Sequence, residues 1–151
     1  MNSMIFSQNY THDEIAIIAQ KLYALKNTCP VYAFIGEVGA GKTTLIATLL
    51  QLFGVNDFEG SPTYTYVNIY TVRQNSTMKK LYHFDLYRLR SAQDFAALGF
   101  TDYLQESDAK SSWSFIEWPE VIMPIYKPVC VCTLEHIDET MRKITVEQII
   151  I

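Results

Sequence analysis

The run Gly36-Glu37-Val38-Gly39-Ala40-Gly41-Lys42-Thr43 constrains this chain more than any other stretch. It fits G-x-x-x-x-G-K-[ST], a loop whose successive backbone N–H groups wrap the phosphates of a nucleotide. The pattern is informative only between a strand and a helix. The apolar run Val31-Tyr32-Ala33-Phe34-Ile35 leads in as a buried strand, and Thr44-Leu45-Ile46-Ala47-Thr48-Leu49-Leu50 leads out as a helix ending before Gly54. The helix N-terminus adds its positive end to the phosphate site. Lys42 brings a mobile charge to the outer phosphates, and the Thr43 hydroxyl can ligate Mg²⁺.

With 151 residues, 49% of them apolar, the chain has material for one core, and residues 1–151 are expected to form a single domain. Twelve basic and 16 acidic residues give a formal charge of -4, no general footprint for DNA or RNA. Cys29, Cys130 and Cys132 are too few for a disulfide framework; alternation places the last two on one face of a strand, as buried free thiols. No stretch approaches 18 consecutive apolar residues and no secretory leader is evident, so a soluble, cytoplasmic protein with no membrane partner is expected.

Along the chain, Thr11-His12-Asp13-Glu14 reads as a capping box opening a helix. Ile15, Ile18, Ala19, Leu22 and Leu25 form its apolar stripe, and it stops near Asn27 and Pro30. Tyr64 to Val72 reads as extended, Arg73 to Thr77 as a hairpin turn, and Leu81 to Phe84 as the returning strand. Short helical pieces follow at Asp94 to Leu98 and Tyr103-Leu104, broken at Gly99. Trp113 to Ile116 is a further buried strand, Val121 to Tyr126 a brief helix, and Val129 to Leu134 and Lys143 to Ile149 two closing strands. A hairpin added to strand–helix alternation predicts an α/β fold: a P-loop NTPase-like three-layer sandwich with a mixed, partly antiparallel sheet.

Hydrolysis needs an acid near Mg²⁺ and a group that positions water. Ligands of open α/β sheets gather at the carboxyl ends of strands, so acids immediately after apolar strands are the candidates. Glu117 follows Ser114-Phe115-Ile116 and is placed to hold Mg²⁺ directly or through its water. Asp85 follows Leu81 to Phe84 at an equivalent edge. Which of the two orients water stays open. Ser61-Pro62-Thr63 lies where a switch loop reaches the terminal phosphate. His83 and Asp85 share one side of their strand, but two ligands do not make a zinc site. Arg88 reads equally as a contact to phosphate or an acidic partner or as a surface cation, and Trp118 as packing on the site or on Pro119 and its neighbours, the second favoured. No Asn-Lys-x-Asp run occurs, which favours ATP over GTP.

These stretches together resemble the TsaE (YjeE) family of bacterial ATPases. The likeness rests on GEVGAGKTT from Gly36 to Thr44, SPTYT from Ser61 to Thr65, YHFDLYRL from Tyr82 to Leu89 and IEWPE from Ile116 to Glu120. The resemblance implies ATP and Mg²⁺ as cofactors. It implies phosphate contacts from Gly36, Glu37, Val38, Gly39, Ala40, Gly41, Lys42, Thr43 and Thr44, and metal association by Thr43 and Glu117. Lys42, Asp85 and Glu117 are the implied catalytic set, Ser61 and Thr63 a switch-like segment, and Thr11 and Arg142 terminal nucleotide contacts. It further implies ATP hydrolysis that supports repeated N6-threonylcarbamoyladenosine modification at position 37 of tRNA by a TsaB–TsaD complex, with tRNA reached indirectly. Two other readings of the residues remain: a small P-loop kinase, which usually needs an arginine-bearing lid, and a non-catalytic nucleotide-dependent interaction module.

Overall fold

A computed structural model of the chain describes residues 2–149. Its seven strands form one sheet in the order β1-β7-β6-β2-β5-β4-β3. The apolar run after Pro30 is β2 (Val31–Ile35), in the middle of the sheet and buried over its first four residues. It pairs in parallel with β5 (Ser112–Glu117) and β6 (Cys130–His136), and β5 pairs in parallel with β4 (Thr77–Asp85). The remaining strands, β1 (Asn2–Thr11), β3 (Val67–Gln74) and β7 (Met141–Ile149), add on antiparallel. The expected mixed sheet is therefore a parallel centre with antiparallel flanks.

Side-chain alternation divides the core in two. Tyr32, Phe34 and Phe115 face α1 (Ile15–Tyr23) and α2 (Lys42–Phe53), packing with Ile18, Leu22, Leu45, Leu49 and Phe53. Val31, Phe84 and Ile116 face the other way, onto Phe95 of α3 (Ala92–Ala97), Phe100 and Leu104 of α4 (Thr101–Asp108). Each fully buried aliphatic or aromatic side chain contributes roughly 1.5–3 kcal/mol, so both layers are firmly held. Helix α2 ends where Gly54 takes φ 109°, with Val55 N–H reaching back to Leu50 O at 3.0 Å. Only glycine adopts that geometry without strain.

Four local expectations need correction. No strand was anticipated before Thr11, yet β1 pairs with β7 along most of its length; it is an exposed edge whose polar residues lack clean alternation. The extended reading from Tyr64 starts too early. Tyr66 sits at φ 69° and donates its N–H to Pro62 O at 2.7 Å, so a turn precedes β3. The α-helix over Val121 to Tyr126 is replaced by a 3-10 turn at Pro119–Val121 and irregular turns, since Pro124 lacks an N–H to continue a helix. Finally, α1 proper ends at Tyr23, and Leu25 packs on the core from the turn beyond it.

The three cysteines are free and buried. Contact with Cys130, followed by burial, pushes the Cys29 thiol well above its usual value, which keeps it an inert core group. Among the described residues no helix is long and apolar enough to cross a membrane.

The β3–β4 turn suggests a stability test. Gln74 pairs with Thr77, leaving Asn75 and Ser76 as a two-residue loop at φ 51° and 68°, the type I′ arrangement. Asn tolerates this region, whereas Ser is strained in it. Ser76→Gly should raise unfolding free energy by roughly 0.5–1 kcal/mol, seen as a higher denaturant midpoint at unchanged slope.

Candidate functional site

The loop between β2 and α2 turns sharply, Ala40 N–H donating to Glu37 O at 3.0 Å. Gly39 and Gly41 have φ 85° and 94°, and a Cβ on either would meet nothing within 4 Å. Backbone angle rather than crowding selects glycine at these two positions, and the space above them is open to a ligand. Gly36 is different: a Cβ there would lie 2.8 Å from Leu134 O, so close packing on β6 excludes a side chain. Val38 stands exposed at the loop tip and Ala40 is buried beneath it.

Lys42 opens α2 and is 5% exposed. Its Nζ donates to Gly36 O and, at 3.2 Å, to Glu37 O, and lies 4.0 Å from the centre of the Trp118 ring. Burial lowers its pKa from the ordinary 10.5, while Glu117, Glu120, Asp85 and Glu37 act in the opposite sense. Trp118, at φ 56°, also packs on Tyr87 with ring centres 4.9 Å apart. Of the two readings of Trp118, the structure shows the ring packed on the site, against Lys42 and Tyr87, rather than only on Pro119 and its neighbours.

Strand register brings the two acids together. Asp85 and Glu117 are direct partners across β4 and β5, and Glu117 also pairs with Phe34 just before the loop. Both acids are almost wholly buried, so their carboxylates need donors. Glu117 Oε1 accepts from Thr43 Oγ1 at 2.8 Å, and its Oε2 contacts His83 Nε2 at 2.7 Å. Asp85 Oδ2 accepts from Ser61 Oγ and from Thr63 Oγ1 at 3.0 Å, and its Oδ1 from Tyr87 N–H at 3.1 Å. Ser61 Oγ also lies 3.3 Å from Glu117 Oε2 and so bridges the acids. Thr43, Ser61, Thr63, Asp85, Glu117 and the loop line one cavity of about 440 Å³, while His83 lies behind it, fully buried.

A larger cavity, about 710 Å³, adjoins it and shares Gly39, Gly41 and Thr44. Thr11 and Arg142 both line this second space. The β1–β7 pairing gathers them: Tyr10 opposes Arg142 and Thr11 opposes Met141. Glu14 takes the Thr11 N–H at 2.9 Å and its hydroxyl at 3.0 Å, the expected reach-back of a capping box. Arg142 donates to Asp138 O at 2.8 Å and to Gly39 O at 3.4 Å, tying the β6–β7 turn to the loop. Tyr10 and Thr140 line the same space and were not anticipated, because nothing in their local sequence marks them. Arg88 does not join either cavity; it lies over Tyr64, 4.4 Å from the ring centre.

The donors around Thr43 are all oxygens: two carboxylates and the hydroxyls of Thr43, Ser61 and Thr63. Such a set suits a hard cation. Among the described residues no three acids, histidines or cysteines gather into a closed metal cage. Mg²⁺ is commonly held by one or two carboxylates plus substrate phosphates, and Glu117 with the Thr43 hydroxyl are the groups that would hold it here.

The fold and this loop define an α/β protein of the phosphate-loop class. Residues 9–145 match the family described as "Threonylcarbamoyl adenosine biosynthesis protein TsaE", and the chain belongs to that family. Proteins named tRNA threonylcarbamoyladenosine biosynthesis protein TsaE are similar to it. The Haemophilus influenzae one is 42% identical over 85 residues, 56% of this chain and 49% of that protein. The Borreliella burgdorferi one is 34% identical over 95 residues, covering 63% and 64%. The Rickettsia felis one is 35% identical over 109 residues, covering 71% and 58%. The chain thus spans about half to two thirds of the length of these curated relatives. The solved structure of Bacillus subtilus YdiB shares the fold, with a TM-score of 0.68 at 20% identity over 98% of this chain and 87% of that one.

Lys42 supplies a pH test. Its folded pKa lies below 10.5, so between the two values the unfolded chain holds more protons and stability rises with pH. A bound triphosphate favours the charged ammonium and moves the pKa back up. Binding should therefore take up protons in the alkaline range below 10.5, and affinity should fall as pH rises through the lowered value. Calorimetry in two buffers of different ionisation enthalpy measures the uptake, which Lys42→Ala should abolish.

Proposed function

We propose that the protein is a magnesium-dependent ATPase that works in tRNA threonylcarbamoyladenosine biosynthesis, supporting repeated rounds of modification by a TsaB–TsaD complex. Family membership supports the pathway. The observation that carries the chemistry is the meeting of Lys42, Thr43, Asp85 and Glu117 around one cavity under an open phosphate loop. ATP is favoured over GTP because the chain lacks an Asn-Lys-x-Asp run.

In this reading the backbone from Gly36 to Thr44 cradles the phosphates, and Lys42 leaves the loop carbonyls for the outer phosphate oxygens. Thr43 and Glu117 would hold Mg²⁺, which would supply charge neutralisation to the outer phosphates. Asp85, fixed by Ser61, Thr63 and the Tyr87 N–H, faces the terminal phosphate and orients the attacking water. Base and ribose occupy the larger cavity, against Thr11 and Arg142. The hydroxyls of Ser61 and Thr63 connect the terminal phosphate to a surface segment, so nucleotide state is communicated to partner subunits. Residues 1–151 act as a single cytoplasmic domain, and tRNA is reached only through the complex.

Two sets of measurements test this. Glu117→Gln and Asp85→Asn should each lower ATP turnover with both partners present by about 10²–10³-fold, equivalent to about 2.7–4 kcal/mol of transition-state stabilisation, with the fold intact by circular dichroism. Near-normal turnover in Asp85→Asn would remove that residue from the catalytic set. In a reconstitution with TsaB, TsaD, threonylcarbamoyl donor and tRNA, multiple rounds of modification should require this chain and its Lys42. Equal multiple turnover without the chain, or with Lys42→Ala, would refute the assignment. A nucleotide-dependent interaction module without catalysis would instead bind its partners with no ATP consumed.

A further inference from the structure

His83 is fully buried on β4, two residues before Asp85. Its Nε2 lies 2.7 Å from Glu117 Oε2, and its Nδ1 is buried without a hydrogen-bond partner. The ring stacks on Phe58, centres 5.8 Å apart and planes 23° from parallel. A hydrogen bond to a carboxylate oxygen requires an N–H on Nε2. In the neutral ring Nδ1 then carries only a lone pair, so a single buried acceptor goes unused rather than a buried donor. Among the described residues no other side chain within hydrogen-bond distance of Glu117 donates from nitrogen.

The two oxygens of Glu117 are thereby separated in role. Oε2 meets the imidazole at 2.7 Å and, more distantly, the Ser61 hydroxyl at 3.3 Å; Oε1 is turned toward Thr43 Oγ1 and the phosphate loop. A lysine in place of His83 would bring a competing positive charge beside the carboxylate. The ring N–H fixes the orientation of the carboxylate and leaves Oε1 facing the loop. We infer that His83 is a positioning residue, its Nε2–H holding Glu117 so that Oε1 stays beside Thr43 for the divalent cation that arrives with nucleotide. This rests on the magnesium–nucleotide reading of the site, and it names the group that sets the metal affinity of that site. The Phe58 stack adds a second consequence, since Phe58 lies three residues before Ser61 and seats the start of that segment on the same ring.

The test measures the Mg²⁺ concentration needed for half-maximal binding of a non-hydrolysable ATP analogue to the full chain, alongside analogue binding in EDTA. His83→Leu keeps an apolar body but lacks the N–H. It should raise the Mg²⁺ requirement by about 10–100-fold, the usual effect of losing a partner that orients a metal ligand. Metal-free binding should stay unchanged. His83→Gln, whose amide N–H has a similar reach, should recover most of the wild-type requirement. A folded His83→Leu with the wild-type Mg²⁺ requirement would overturn the inference, as would equal losses in Leu and Gln, which would mark a packing role alone. If His83→Leu does not fold, His83→Asn, whose amide is too short to reach Oε2, takes its place against His83→Gln with the same two outcomes. Wild-type protein that binds the analogue with no Mg²⁺ dependence would overturn the parent reading itself, before any variant is compared.

Discussion

The side-by-side pairing of Asp85 and Glu117 at the ends of two parallel strands is the arrangement on which the site depends. Parallel strands deliver their carboxyl ends to one edge of the sheet, so the loop from β2 and the two acids arrive together without long-range adjustment. The juxtaposition is unfavourable in itself, because like charges are brought close in a poorly solvated place. What offsets it is a dense set of donors: Thr43 and His83 on Glu117, Thr63 and the Tyr87 N–H on Asp85, and Ser61 between them. Removing a donor leaves a buried acceptor exposed to its neighbour's charge. Ser61 and Thr63 thus help hold the site together whether or not a ligand occupies it.

Legibility of this molecule follows the locality of the interaction. The phosphate loop, Glu117 and Asp85 could be read because each follows a mostly apolar run of strand, continuous before the loop and interrupted only by His83 and Ser114 before the acids, as burial in the middle of a parallel sheet requires. The two packed faces were implied by the same runs. At the edges the signal fades. Strand β1 carries Ser3, Ser7, Gln8 and Asn9 on a mostly exposed ribbon, so neither alternation nor hydrophobicity marks it. What keeps it in place is backbone pairing with β7, some 130 residues later, which no local pattern encodes.

That gap had a functional counterpart. Thr11 and Arg142 were proposed from family likeness, and the reason they share a cavity became visible only with the β1–β7 register. Tyr10 and Thr140, drawn into the same space by the same pairing, carried no signal at all. The turn at Tyr66 was hidden for a different reason. A tyrosine among β-prone neighbours reads as extended, and its left-handed backbone is held by a tertiary setting, the Pro62 carbonyl and the contact of Tyr66 with Phe100. The role of His83 was half legible: its place on the strand could be read, its partner could not.

The charge distribution around Lys42 bears on the order of arrival. Glu37, Asp85, Glu117 and Glu120 all act on that single ammonium, so acids outnumber ammonium groups beside the loop. On the nucleotide reading proposed above, a naked polyphosphate approaching it would meet those acids before it could reach the backbone N–H groups. The same anion already chelated to a divalent cation carries less charge and presents a positive centre to the acids. On that reading the chelated form would be favoured over the free one at the encounter step, a filter on association rate before any hydrogen bond is made.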